Sequence, residues 1–60
     1  FLRAEAYFAQ ENYAKAAEQY ALAEEGYPRK VARRLEVCYR ELGDFKQAYF
    51  YACKVRELEG

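Results

Sequence analysis

The chain has 60 residues, enough for one small domain, and its ten basic residues balance its ten acidic ones. A formal net charge of zero excludes a strong global attraction to nucleic acid or to a charged membrane surface. Neither a transmembrane helix nor a signal peptide is predicted, because no apolar run is long enough for the first and no leader pattern indicates the second.

Three breaks in the sequence predict four helices. The breaks lie at Glu11-Asn12, at Gly26 to Pro28 and at Gly43-Asp44. The four segments between them are rich in Ala, Leu, Glu, Arg and Lys, and none alternates with period two, so all four are predicted to be helical. Asn12 and Asp44 are candidate N-caps, and proline at position 28 suits the first turn of a new helix.

The last three predicted helices each carry one apolar face at helical spacing, which predicts the core. The predicted core residues are Tyr13, Ala16, Ala17, Tyr20 and Ala23 on the second helix, Val31, Ala32, Leu35, Cys38, Tyr39 and Leu42 on the third, and Phe45, Ala48, Tyr49, Ala52 and Val55 on the fourth. Short turns between helices of similar length favour antiparallel hairpins.

The sequence also repeats itself with a period of 32 residues. Three equivalent pairs show the period: Tyr7 with Tyr39, Tyr13 with Phe45, and Ala16 with Ala48. A helical hairpin cannot bury its apolar face alone and stacks on a copy of itself. We therefore predict an all-α fold of two stacked hairpins, residues 1–28 and 29–60, with a plain antiparallel four-helix bundle as the alternative. Because the chain begins with Phe1 rather than Met, we expect it to be a fragment of a longer protein or a processed piece.

At these positions the chain resembles the tetratricopeptide repeat family, whose helical hairpins repeat about every 34 residues. In the first hairpin the resemblance is carried by Tyr7, Tyr13, Ala16, Tyr20, Ala23 and Pro28, and in the second by Leu35, Tyr39, Gly43-Asp44-Phe45 and Ala48. It implies a short segment of a right-handed helical solenoid and a non-enzymatic scaffold or adaptor that binds a peptide or a helix of a partner protein.

The resemblance further implies a concave groove lined by the first helix of each hairpin. The partner-binding residues it implies are Phe1, Glu5 and Phe8 from the first helix and Lys30, Arg33, Arg34, Val37 and Arg40 from the third. The helical wheel independently places Val37 in a basic arc away from the core, although such an arc is commonly a solvated face. An acidic, partly apolar peptide is the expected ligand, steered by Arg33 and Arg40.

Lys30 and Arg34 also resemble part of the carboxylate clamp of co-chaperones that bind chaperone C-termini. The asparagines of the clamp are missing, and Glu5 stands where one is expected. A carboxylate at that place is expected to repel the carboxylate of a ligand, so the sequence does not favour a true clamp.

No catalytic, cofactor or metal site is predicted, and we expect the protein not to be an enzyme. The chain has no histidine, which removes Ser-His and Cys-His pairs and imidazole ligands, and its glycines are isolated. A disulfide between Cys38 and Cys53 is expected to be strained, because the two lie offset along an antiparallel hairpin. Two free thiols favour a reducing compartment, and we expect a cytoplasmic protein.

Two other functions stay open. Phe50, Tyr51 and Leu58 fall outside the predicted core face of the fourth helix. They either pack partly against the third helix or contact a following repeat or a second copy of the chain, as in a structural spacer or self-association module. Nucleic-acid binding through the basic residues of 29–40 is the second alternative, and the zero net charge argues against it.

Overall fold

A computed structural model describes residues 1–60 and contains four helices and no strand. The helices are α1 (Leu2–Ala9), α2 (Tyr13–Leu22), α3 (Pro28–Glu41) and α4 (Phe45–Glu59). The predicted all-α class is confirmed. None of the four helices has the length and apolar character needed to traverse a lipid bilayer.

The helices pack in chain order, α1 on α2, α2 on α3 and α3 on α4. The molecule is a slab of 30 × 26 × 15 Å, as expected for two antiparallel hairpins laid side by side. A closed bundle would cover the outer faces of α1 and α4, yet Leu2 is 84% exposed and Tyr49 is 73% exposed. An ion pair joins the hairpins, because Lys54 on α4 donates to Glu24, just after α2, at 2.7 Å. That hydrogen bond raises the pKa of Lys54.

The turns inside the two hairpins repeat the same backbone hydrogen bonds. The N–H of Asn12 donates to the carbonyl of Tyr7 at 2.9 Å, and the N–H of Asp44 donates to the carbonyl of Tyr39 at 2.8 Å. Donor and acceptor are each displaced by the 32-residue period seen in the sequence. The repeat is therefore a repeat of conformation as well as of residue type.

The residue before each of these N-caps adopts a left-handed conformation. This residue is Gly43 in the second hairpin, with φ of 83°, and Glu11 in the first, with φ of 60°. Glycine adopts positive φ without steric cost, whereas a residue with a Cβ atom is strained there. Space is not the constraint at Gly43, since no atom would lie within 4 Å of an added Cβ.

Replacing Glu11 with glycine is expected to stabilise the protein by about 1 kcal/mol, because it relieves the left-handed strain. For a domain of this size the melting temperature should rise by about 5 °C, measured by circular dichroism. The matched variant Glu11→Ala also removes the carboxylate but keeps the Cβ atom, so it should show no such gain. Equal stabilisation by both variants would mean that the charge, and not the backbone, is responsible.

The helix starts agree in part with the prediction. Asp44 is the N-cap of α4, and its side chain accepts a hydrogen bond from the Gln47 N–H at 3.3 Å. Asn12 stands at the N-cap of α2, but its side chain makes no capping hydrogen bond. Pro28 is the first residue of α3, as expected for a proline that suits the first turn of a helix.

Nine residues are buried, and they lie where α2 and α3 meet their neighbours. They are Ala4, Ala16, Ala17, Tyr20, Val31, Ala32, Leu35, Cys38 and Ala48. The predicted core faces of α2 and α3 supply most of this set. Its alanines allow a close approach of the helices, and Tyr20 and Leu35 are its largest side chains.

The prediction of the core face of α4 is partly wrong. Ala48 is buried, and Ala52 and Val55 are half-buried, but Phe45 and Tyr49 are exposed. The equivalent face of α2 is covered by α3, whereas α4 packs against α3 alone and has this face uncovered. Leu42, at the end of α3, is also exposed rather than in the core.

A candidate binding groove between the first and third helices

A cleft of about 400 Å³ lies between α1 and α3 and contains residues of both hairpins. Its lining residues are Phe1, Glu5, Lys30, Arg33, Arg34 and Val37. All six are among the eight partner-binding residues expected from the sequence. The stacking of the two hairpins thus brings together residues that are about 30 positions apart in the chain.

A hydrogen bond from the core holds Glu5 at the side of the cleft. The hydroxyl of the fully buried Tyr20 donates to Glu5 Oε2 at 2.8 Å. Burial, together with this bond to the carboxylate, raises the pKa of Tyr20. The Nε of Arg34 lies 3.7 Å from the same carboxylate oxygen. The carboxylate of Glu5 therefore accepts a hydrogen bond from α2 and lies beside a cation of α3. Both interactions lower the repulsion that we expect between Glu5 and the carboxylate of a ligand.

The ring of Phe1 lines the cleft and packs on two further aromatic rings. The ring of Phe1 meets Tyr20 edge-on at 5.9 Å between centroids and lies tilted on Tyr27 at 4.5 Å. Phe1 and Val37 are half-buried, so each keeps part of its apolar surface open to the cleft. These two residues give the cleft an apolar component beside its cations.

The three cations of the cleft differ in how they are neutralised. The guanidinium of Arg33 forms an ion pair with Glu59, near the end of α4. Arg34 is near Glu5, as described above. Lys30 is exposed and takes part in none of the four ion pairs of the molecule. The ammonium of Lys30 is the cation of the cleft that is available to an incoming anion.

Two of the expected partner-binding residues do not line the cleft. Phe8 is half-buried and lies under the guanidinium of Arg34, whose Cζ is 4.6 Å from the ring centroid. Arg40 pairs with Glu36 on its own helix at 3.0 Å. Phe8 thus orients Arg34 from below, and Arg40 remains on the outer surface of α3, away from the cleft.

Sequence reasoning missed Glu59 and Tyr27 as neighbours of the cleft. The 32-residue period contained the necessary signal, because it relates Phe1 to Arg33 and Tyr27 to Glu59. The aromatic pair of the first hairpin, Phe1 with Tyr27, is accordingly replaced by an ion pair at the same place in the second. Applying the period to contacts, and not only to residue types, would have placed Glu59 beside Arg33.

The three residues singled out on α4 have different surroundings. Tyr51 is half-buried and stacks on Tyr39 of α3, with 5.7 Å between ring centroids and 12° between planes. Phe50 and Leu58 are exposed. Partial burial against α3 therefore accounts for Tyr51 and does not account for Phe50 or Leu58.

Both cysteines are free thiols. Cys38 is buried in the core, and Cys53 is half-buried on α4. Burial raises the pKa of Cys38 from 9.0 to about 11, and the nearby Arg34 opposes this shift only in part. The core thiol is therefore protonated and sequestered at neutral pH.

Comparison with known proteins identifies no relative for this chain. No protein-family model matches it, and neither a curated protein nor a solved structure does.

Proposed function

We propose that the protein is a non-catalytic protein–protein interaction module that binds an acidic, partly apolar peptide in the cleft between α1 and α3. The observation that carries the proposal is the unpaired ammonium of Lys30 in a cleft that also exposes Phe1 and Val37. An acidic side chain next to a large apolar one would satisfy both parts of the site.

The distribution of charge supports a peptide ligand over a nucleic acid. Five basic residues lie within 29–40, and Arg33, Arg34 and Arg40 are each paired with a carboxylate of the same chain. Nucleic-acid binding draws its affinity from many unneutralised cations along a phosphate backbone. A site with one free ammonium inside a partly apolar cleft suits a single carboxylate.

We also propose that this chain is a two-hairpin scaffold or adaptor segment of the tetratricopeptide repeat type, the family that its sequence resembles. Two hairpins with equivalent turns and a groove between their first helices are consistent with it. We also place the protein in the cytoplasm, a reducing compartment that suits Cys38 and Cys53 as free thiols.

A charge reversal at Lys30 tests the proposal. The probe is a fluorescein-labelled peptide that alternates Glu with Leu and Phe, and its control is the same peptide with Lys in place of every Glu. Fluorescence anisotropy should show binding of the acidic probe alone. Lys30→Glu should weaken that binding about tenfold, since it replaces an attraction with a repulsion inside the cleft.

Arg40→Glu is the matched control, because it makes the same charge change on the same helix outside the cleft. It should alter affinity less than about twofold, as expected for an exposed charge outside the site that is screened by salt. If both variants lost the same affinity for the acidic probe, the loss would come from net charge alone, and the cleft would not be the binding site. No binding of the acidic probe by the unaltered protein would overturn the proposed ligand class.

Glu59→Gln gives a change of opposite sign in the same assay. Glu59 holds the guanidinium of Arg33 at the edge of the cleft and so competes with an acidic ligand for it. Removing the carboxylate should tighten binding of the acidic probe about twofold to threefold, the scale of an exposed ion pair. Glu57→Gln, two residues earlier and without an ion pair, should leave the affinity unchanged.

A further inference from the structure

Half of the residues that line the cleft are cations of α3. Lys30, Arg33 and Arg34 stand at positions i, i+3 and i+4, a spacing that places side chains next to one another on a helix. Glu5 of α1 supplies the only negative charge among the lining residues, so the lining carries a formal net charge of +2. A ligand carboxylate that pairs with Lys30 neutralises only half of this charge.

The ion pair that occupies Arg33 lies at the surface. The side chain of Arg33 is 64% exposed, and that of its partner Glu59 is 33% exposed. Such ion pairs contribute little to stability, because water solvates the separated charges well and pairing restricts both side chains. A ligand with more negative charge than a carboxylate can therefore draw the guanidinium of Arg33 away from Glu59.

The first hairpin orients Arg34 without using its hydrogen-bond donors. The Cζ of Arg34 lies 4.6 Å from the ring centroid of Phe8, and its Nε lies 3.7 Å from Glu5 Oε2. That separation exceeds hydrogen-bonding distance. The same carboxylate oxygen accepts the hydrogen bond of the buried Tyr20 hydroxyl at 2.8 Å. The N–H groups of Arg34 are therefore available to an acceptor in the cleft.

We propose that the acidic group bound by the cleft is a phosphate monoester, on a phosphorylated serine or threonine next to an apolar residue of a partner peptide. The inference rests on the proposed peptide binding and names its acidic group. A phosphate monoester carries about −1.5 to −2 charges at pH 7 and has three acceptor oxygens. That charge matches the lining, and guanidinium groups bind such oxygens through parallel N–H donors. Phe1 and Val37 offer apolar surface to the neighbouring residue.

The charge of the ligand can be changed by pH without changing the charge of a histidine. Histidine is the side chain that ordinarily titrates between about pH 5 and 8, and the chain has none. The charged groups around the proposed phosphate are Glu5 on α1, Lys30, Arg33 and Arg34 on α3, and Glu59 on α4. The second pKa of a phosphate monoester is about 6. Affinity for the phosphate should therefore rise as the pH increases through about 6.

Fluorescence anisotropy with three peptides tests the proposal. The fluorescein-labelled peptides share one sequence and carry phosphoserine, glutamate or serine between two leucines. At about pH 7.5 the phosphoserine peptide should bind about tenfold more tightly than the glutamate peptide, and the serine peptide should bind most weakly. At about pH 5 the preference for phosphoserine over glutamate should fall to about twofold, because only about a tenth of the phosphate then carries its second charge.

Two double variants with unchanged net charge locate the site. Arg33→Gln with Glu59→Gln removes the ion pair at the edge of the cleft and should lower the preference for phosphoserine to about threefold or less. Arg40→Gln with Glu36→Gln removes an ion pair of α3 outside the cleft and should keep the preference at about tenfold. None of the four side chains is buried, so circular dichroism should show unchanged helix content.

A competition experiment separates a phosphorylated peptide from the phosphate ion alone. Inorganic phosphate should displace the labelled phosphoserine peptide at least about tenfold less effectively than the unlabelled peptide does, because it lacks the leucines that contact Phe1 and Val37. Equal competition by the ion would overturn a peptide as the ligand.

Three other results would overturn the phosphate and leave the proposed peptide binding intact. The first is equal affinity for the glutamate and phosphoserine peptides at about pH 7.5. The second is a preference for phosphoserine that does not change with pH. The third is an equal loss of preference in the two double variants. Failure of all three peptides to bind would overturn the proposed peptide binding itself, and the phosphate with it.

Discussion

Replacing Leu35 with alanine is expected to leave a large fraction of the protein unfolded at room temperature. Leu35 is fully buried on α3, in the cluster that also holds Ala4, Tyr20 and Val31. Truncating a buried leucine to alanine costs about 2–5 kcal/mol, through lost burial and through the cavity left behind. Three of the six other buried residues of that cluster, Ala4, Ala16 and Ala17, are alanines, whose side chains have no rotamers and so cannot move to fill the cavity.

The size of the chain makes this loss decisive. Domains have a free energy of unfolding of about 0.05–0.15 kcal/mol per residue, or roughly 3–9 kcal/mol for a chain of this length. With only nine buried residues, no second core can compensate. Urea denaturation followed by circular dichroism should give a free energy of unfolding near zero for Leu35→Ala.

Leu22→Ala provides the matched control, because it removes the same atoms from a leucine that is 80% exposed. In dilute solution its free energy of unfolding should differ from that of the unaltered chain by less than about 0.5 kcal/mol. A native-like transition for Leu35→Ala, or equal losses in both variants, would contradict a core centred on α3.

The features that the sequence predicted depend on local chemistry or on the internal period. Gly43 and Asp44 mark the turn before α4, and their backbone and side-chain preferences act within a few residues. The arrangement of the hairpins follows from the 32-residue period, because equivalent positions of the two hairpins carry similar residue types. The groove was expected from the resemblance to the tetratricopeptide repeat family, and a cleft lies between the two helices that the resemblance implied, α1 and α3.

The features that escaped prediction depend on what lies across an interface. Phe45 and Tyr49 have the spacing of core residues, but their burial requires a helix beyond α4, which spacing alone does not reveal. The ion pair of Arg33 with Glu59 depends on the reach of two flexible side chains from different helices. Lys30 stands out as the unpaired cation of the cleft only because the structure shows that Arg33 and Arg34 have carboxylate partners.

The two thiols are expected to react with an alkylating reagent at very different rates. Thiolates are the reactive form, and burial raises the pKa of Cys38 from 9.0 to about 11, which lowers its thiolate fraction about a hundredfold. Burial also blocks the reagent, so Cys38 should be modified only when the fold opens. Cys53 is half-buried and should be modified in the native protein. Mass spectrometry after proteolysis should show label on Cys53 first.

The same shift fixes the direction of the pH dependence. The thiol of Cys38 ionises near its ordinary pKa of 9.0 in the unfolded chain but only near 11 in the folded one. The folded state therefore binds more protons between these values, and the free energy of unfolding falls as the pH rises through this window. Below about pH 9 the contribution of the thiol is fully present.

Labelling of Cys38 then reports the stability of the core. If the thiol reacts only through opening, Leu35→Ala should speed its modification at least about thirtyfold, the factor that corresponds to a loss of about 2 kcal/mol. The rate at Cys53 should change far less, because its modification does not require opening. Equal native-state rates for the two cysteines, or a Cys38 rate that urea does not increase, would show that Cys38 is accessible and that the contact between the hairpins is looser than the structure describes.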